Sequence, residues 1–291
     1  YEMQRSLVGS EMCIRDSPIG VFDSGFGGLT VLAHLQQALP DADFVYLGDN
    51  ARAPYGTRAF DAVYGFTLEA VRHLFGMGCP LVILACNTAS AKALRTIQQR
   101  DLPTLAPDRR VLGVIRPTAE AVGSMSRTGV VGILGTPGTV ASGSYDIEVE
   151  KLHPGFRVVA EAAPMWVPIV ENGYAGSEGA VWFVREAVDR LLRRDPRIDA
   201  IILGCTHYPL LYPAIRAAVP EGIEVVSQGP IVAASLTDYL RRHPDIDAAV
   251  TRGGVTRYLT TDDADSFARK ASVFLGREIT ATRTTLGDAQ P

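Results

Sequence analysis

Two cysteines far apart in the chain occupy nearly the same setting: LVILACNTAS carries Cys86 and AIILGCTHYP carries Cys205. Each follows an apolar run of strand type, each is followed by short polar residues, and a helix-period pattern comes next. Two thiols at two strand rims can face one another across a cleft, remove a proton from one side of a carbon and return one to the other. One cysteine at a strand end reads most simply as a small buried apolar residue; the repetition favours chemistry. A helix N-terminus lowers a thiol's pKa from about 8.5, so part of each sulfur is expected as thiolate near neutral pH. Asn87 and Thr88 beyond the first cysteine, and Thr206 beyond the second, offer side chains and backbone donors for a carboxylate. His207, two residues past Cys205, can take or hold that thiol's proton. Cys79, in Gly-Cys-Pro ahead of its strand, reads as structural, and His34, His73, His153 and His243 lack polar company.

Two further rims carry polar residues. PIGVFDSGFGGLTVL ends a strand at Asp23 and turns through Ser24 and three glycines into a helix, where backbone amides favour an anion. Capping of that helix is the equally simple reading of Asp23. Thr30 stands where the third glycine of the dinucleotide fingerprint belongs, which argues against nicotinamide. In YLGDNARAPYGTRA, Pro54, Tyr55 and Gly56 form a rigid elbow that presents a phenol and amides to a ligand's polar end. The only lysines, Lys92, Lys151 and Lys270, lie away from these rims, so pyridoxal phosphate is not implied.

The elements that must position these residues alternate along the chain. Strands are expected at 19–22, 44–47, 81–85, 111–115, 130–134, 157–160, 200–203, 223–226 and 257–260. Helices are expected at 29–39, 58–75, 90–100, 177–194, 211–219 and 231–242. That alternation predicts an α/β fold with mostly parallel sheets, in which ligands collect beyond the carboxyl ends of strands. Asp23, Gly48 to Asn50, Cys86, Thr136 and Cys205 all fall at such ends. Shifts in composition near 116–118 and 226–229 place a central lobe, 116–226, between the two parts of another, 18–115 plus 227–291.

Composition sets wider bounds. A chain of 291 residues, 47% hydrophobic, can bury a large core. A net charge of −4 carries no footprint for nucleic acid or an anionic membrane, and the apolar runs are too short to span one. Four cysteines without Cys-x-x-Cys or metal-type spacing argue against a disulfide scaffold or a bound metal, and suit a reducing cytoplasm. Residues 1–17, which include Cys13, mix charge with isolated apolar residues and are set apart as a leader foreign to the fold.

The strings FDSGFGGLTVL, YLGDNARAPYG, ACNTAS, GTPGTVASGSY, VPIVENG and LGCTHYPLL occur in this order, and from Pro18 onward the chain resembles the glutamate racemases of the cofactor-independent aspartate/glutamate racemase superfamily. The resemblance implies two similar flavodoxin-like α/β lobes with the active site in the cleft between them. It also implies cofactor-free exchange of L- and D-glutamate for peptidoglycan, and it admits a homodimer. Carried onto this sequence, Cys86 and Cys205 are the acid/base thiols, with Asp23 assisting Cys86 and His207 assisting Cys205. Ser24, Tyr55, Gly56, Asn87, Thr88 and Thr206 fall on substrate-binding positions, joined by Thr136 and Glu171. Where such sequences often carry Cys-Pro before the VP-[LI]-VE run, this chain has Ala163 and Pro164. Three other readings stay open: an aspartate racemase, a hydrolase using Cys205 with His207 and dispensing with Cys86, and an inactive ligand-binding homologue.

Overall fold

The computed structural model describes residues 17–287. The leader apart from Ser17, and Cys13 with it, lies outside the described residues. Two sheets form, and every strand pairing within them is parallel. The first sheet contains β1 (Ile19–Asp23), β2 (Phe44–Gly48), β3 (Leu81–Leu84), β4 (Arg110–Gly113), β9 (Thr256–Thr260) and β10 (Thr282–Arg283), in the order β10-β9-β2-β1-β3-β4. The second holds β5 (Val130–Gly135), β6 (Arg157–Ala162), β7 (Ala200–Gly204) and β8 (Glu224–Val226), in the order β6-β5-β7-β8.

Strand periodicity sends alternate side chains into different cores. In the first sheet Val21, Tyr46 and Ile83 pack with the helices Leu29–Ala38 and Gln228–Arg242. Phe22, Leu47 and Leu84 face the helix Phe60–Gly76 on the opposite side. In the second, Leu134 and Leu203 meet the helices Trp166–Glu171 and Glu178–Arg194, whereas Ile133 and Ile202 meet Ile115–Met125 and Ser144–Leu152. With both faces covered, the strands read as continuous apolar runs, and the polar residues that end them stand out.

All nine expected strands are present, and the short edge strand β10 is an addition. The run expected at 111–115 ends early: β4 stops at Gly113, and Ile115 opens the helix Ile115–Met125. Ile115 and Val111 are both buried, so one apolar run supplies a strand end and a helix start and hides the change of period. The single helix expected at 90–100 is instead a series: Asn87–Lys92, Leu94–Thr96, a wide π turn at Ile97–Asp101 and Leu102–Leu105. Pro103 cannot donate into the helical ladder, and the wide turn lies just before it. The helices Ile115–Met125, Ser144–Leu152 and Ala264–Leu275 escaped the sequence reading. No helix among the described residues is long and apolar enough to cross a membrane.

Candidate active site

Asp23 ends β1 and pairs in register with Gly48 at the end of β2. Cys86 lies two residues beyond β3, whose Leu84 pairs with Gly113. In the second sheet Gly135 pairs with Gly204, so Thr136 and Cys205 follow neighbouring strand ends side by side. The carboxyl ends of the two sheets meet around a cavity of about 100 Å3, several times the space one water needs. From the first sheet it is lined by Ser24, Pro54, Tyr55, Gly56, Cys86, Asn87 and Thr88; from the second, by Thr136, Glu171, Cys205, Thr206 and His207. Ala53, Thr57, Pro137, Val167 and Pro168, which were not singled out in the sequence, complete it together with Pro164.

The two sulfurs share the cavity but not an environment. Cys86 is the N-cap of the helix Asn87–Lys92, accepting the Ala89 amide N–H at 3.5 Å, and it donates to Ser24 Oγ at 3.5 Å. Burial first, and the negative Asp23 second, outweigh those contacts and push the Cys86 thiol up to about 12. The expected thiolate population at neutral pH therefore does not hold for Cys86, because the helix start is overridden by desolvation. Cys205 opens no α-helix; a tight turn at Tyr208–Leu211 comes first, and the helix Tyr212–Ala218 follows. Its sulfur lies 3.9 Å from His207 Nδ1, and His207 Nε2 lies 3.0 Å from Glu171 Oε1. Burial alone lowers the His207 pKa, yet hydrogen bonds to Cys205 and Glu171 and their charges win, lifting it to about 10. His207 is accordingly an imidazolium at neutral pH.

Asp23 is fully buried; Gly28 is the N-cap residue of the helix Leu29–Ala38, and its backbone N–H bonds the Asp23 carboxylate, so the capping contact and the place at the site coexist. That carboxylate also accepts the Gly25 amide N–H at 2.8 Å and the Thr206 hydroxyl at 3.3 Å. Burial raises its pKa against the pull of His207 and those donors. It bears on Cys86 through its charge, and its Thr206 bond crosses between the two sheets. The elbow at Pro54, Tyr55 and Gly56 is held from behind. Tyr55 donates its hydroxyl to Asp49, which also takes Arg52 Nε at 2.7 Å and the Thr261 hydroxyl at 2.8 Å. The phenol expected to hold a ligand's polar end is thus engaged by Asp49. Gly56 carbonyl accepts the Gly138 N–H at 2.8 Å, and a Cβ on Gly56 would come within 2.9 Å of Thr136.

Asn87 lines the cavity, but both ends of its amide are bonded: Nδ2 donates to Gln228 Oε1 and Oδ1 accepts from Tyr145, each at 2.7 Å. Thr88 Oγ1 meets Thr136 Oγ1 at 3.0 Å and Thr139 Oγ1 at 3.4 Å. Asp49, Tyr145 and Gln228 support the site; Asp49 and Tyr145 lie inside the YLGDNARAPYG and GTPGTVASGSY strings, but none of the three was assigned a role from the sequence. Cys79 is buried away from the cavity, and burial raises its thiol to about 12. His73, His153 and His243 bond Thr284, the Ala119 carbonyl and the Tyr239 carbonyl respectively. Among the described residues no group of three or more His, Cys, Asp or Glu side chains is placed to hold a metal ion.

Residues 19–236 match the family described as Asp/Glu/Hydantoin racemase. A protein of Jannaschia sp. (strain CCS1) named glutamate racemase is 44% identical over 272 residues, covering 90% of this chain and 97% of its own. One of the same name from Roseobacter denitrificans is 44% identical over 271 residues, with 90% and 97% coverage. Among solved structures, a glutamate racemase isoform from Bacillus anthracis superposes with a TM-score of 0.85 at 33% identity, covering 94% of this chain and 98% of that one. The glutamate racemase of Francisella tularensis, solved in complex with D-glutamate, superposes with a TM-score of 0.81 at 29% identity, with 94% and 99% coverage.

Proposed function

This chain belongs to the Asp/Glu/hydantoin racemase family and is an amino-acid racemase, and on that premise we propose that it interconverts L- and D-glutamate with Cys86 and Cys205 as its two proton-transfer groups. The observation that carries this reading is that both sulfurs line one small cavity while arriving from different sheets. Racemisation passes through a near-planar carbanion. A single base tends to return the proton it took, whereas two bases on opposite sides, one protonated and one not, invert the centre.

The electrostatics supply the asymmetry. Burial and Asp23 hold the Cys86 thiol up at about 12, whereas His207, lifted to about 10, stands 3.9 Å from the Cys205 sulfur. One sulfur takes the substrate proton as thiolate while the other, as thiol, delivers one to the far face, which leaves the two states exchanged and lets the opposite enantiomer run the same steps in reverse. Thiol acid/base work of this kind contributes roughly 10²- to 10⁴-fold. Orientation, and donors directed at the carboxylate as it gains enolate character, supply more. Ser24, Thr88, Thr136 and Thr206 provide hydroxyls around the cavity, while Pro54, Tyr55 and Gly56 form one wall. Glu171 holds His207. The two sheets are read as lobes comprising 18–115 plus 227–291 and 116–226. Delivery of D-glutamate to peptidoglycan synthesis in a cytoplasm, where free Cys79, Cys86 and Cys205 stay reduced, completes the proposal.

Purified protein incubated with L-glutamate and no added cofactor is expected to form D-glutamate, measured by chiral chromatography, and to act far more slowly on aspartate. Absence of D-glutamate, or faster turnover of aspartate, contradicts the reading.

A further inference from the structure

We propose that Tyr145 and Gln228 are positioning residues for the Cys86 thiol, acting through Asn87; the inference rests on Cys86 serving as an acid/base group. Asn87, Tyr145 and Gln228 close a hydrogen-bonded ring. Asn87 Nδ2 donates to Gln228 Oε1, Gln228 Nε2 donates to Tyr145 Oη, and Tyr145 donates to Asn87 Oδ1, each at 2.7 Å. Gln228 Nε2 also donates to Thr118 Oγ1 at 2.8 Å, and Thr118 in turn donates to the Val114 carbonyl at 2.8 Å. All four side chains are buried.

The ring has one consistent arrangement of protons. Thr118 donates its hydroxyl proton to the Val114 carbonyl and so must accept from Gln228 Nε2, which fixes the Gln228 amide. The same nitrogen donates to Tyr145, the Gln228 carbonyl faces the Asn87 amide nitrogen, and the one Tyr145 proton goes to Asn87 Oδ1. With both ends engaged, the Asn87 side chain has little left to offer a ligand, and its contribution is to fix the turn that begins at Cys86. That turn belongs to the first sheet, Tyr145 sits on a helix that packs against the second, and Gln228 begins the helix that follows β8. Buried polar rings of this sort hold geometry tightly, because losing one member strands the others.

Cys205 is held by other means: His207 with Glu171, and Thr206 with Asp23 and with Thr30, whose hydroxyl donates to the Thr206 carbonyl at 3.0 Å. Tyr145 also lies near Cys205, its phenyl edge 3.5 Å from where a Cβ on Gly204 would stand. The selective lesion is therefore one that keeps the phenyl in place and removes only the ring's hydrogen bonds, which loosens the turn at Cys86 and leaves the bonds holding Cys205 intact. In a racemase that selectivity has a directional signature. Slower transfer at Cys86 retards abstraction from one enantiomer and delivery to the other. With Cα-deuterated substrates, the isotope effect should rise for the enantiomer whose deuterium Cys86 removes and fall for its mirror image. A general loosening of the fold lowers both rates and moves both isotope effects together.

Tyr145→Phe keeps the phenyl group and removes the hydroxyl; Gln228→Met keeps the length and removes the amide, and serves if the first variant fails to fold. The expected result is a kcat lower by about tenfold, the size of one buried hydrogen bond, with opposed shifts of the two isotope effects and unchanged circular dichroism. Isotope effects that stay put or move together, or rates within twofold of the parent, overturn the inference. A parent protein that does not racemise glutamate overturns instead the function on which the inference rests, so the two failures are distinguishable.

Discussion

Cys86 and Cys205 look alike in sequence and differ in charge environment. Their place at two strand ends was legible from apolar runs that stop at a polar residue. That Cys86 holds its proton was not, because burial and the approach of Asp23 are tertiary facts. Tyr145 and Gln228 were given no role for a related reason: single polar residues on helices look like surface until their partners are known. Cys86→Ala and Cys205→Ala should each lower racemisation by roughly 10²- to 10⁴-fold, while Cys79→Ala, outside the cavity, leaves it within twofold in a chiral assay. Asp23→Asn removes the charge that helps keep Cys86 protonated, so the ultraviolet absorbance of the Cys86 thiolate should grow in at lower pH than in the parent; an unmoved titration contradicts the assignment. His207 has its pKa raised from 6.5 to about 10 on folding, so its contribution to stability is complete below pH 6.5 and is lost as pH climbs to about 10. Denaturant unfolding across that window should show a steeper fall for the parent than for His207→Asn.

At the scale of elements, the turn after β1 is the most tightly constrained. A Cβ on Gly27 would lie 2.2 Å from Thr206 Oγ1 and 2.4 Å from His207 Nδ1, so the glycine allows a first-sheet turn to approach the second-sheet residues that surround Cys205. Gly27→Ala should keep its helix content by circular dichroism and lose about 10²-fold in kcat/KM, the effect of displacing positioned groups by about an ångström. Retained activity would show that the two turns need not meet so closely. The glycines of FDSGFGGLTVL were legible as a turn; what they approach was not, since it lies far along the chain. Strands were read well because burial on both faces leaves continuous apolar runs. The helices Ile115–Met125 and Ser144–Leu152 were missed because polar residues interrupt their buried positions and, in the first, the apolar start merges with β4.

Across the whole molecule, each thiol-bearing turn is tied to the other sheet. Asn87 and Thr88 reach Tyr145, Thr136 and Thr139, while Thr206 reaches Asp23 and Thr30. Bonds that cross in both directions should make the sheets melt as one unit, and calorimetry is expected to give a single transition with equal calorimetric and van't Hoff enthalpies. Two separable transitions would mean that the sheets are coupled only weakly. The central claim, that two sulfurs act on opposite faces of one carbon, is tested most directly by following L-glutamate in deuterated water at early times. Deuterium should appear at Cα of the newly formed D-glutamate while the remaining L-glutamate stays unlabelled. Retention of the original hydrogen in the product, or equally rapid labelling of both enantiomers, would contradict it.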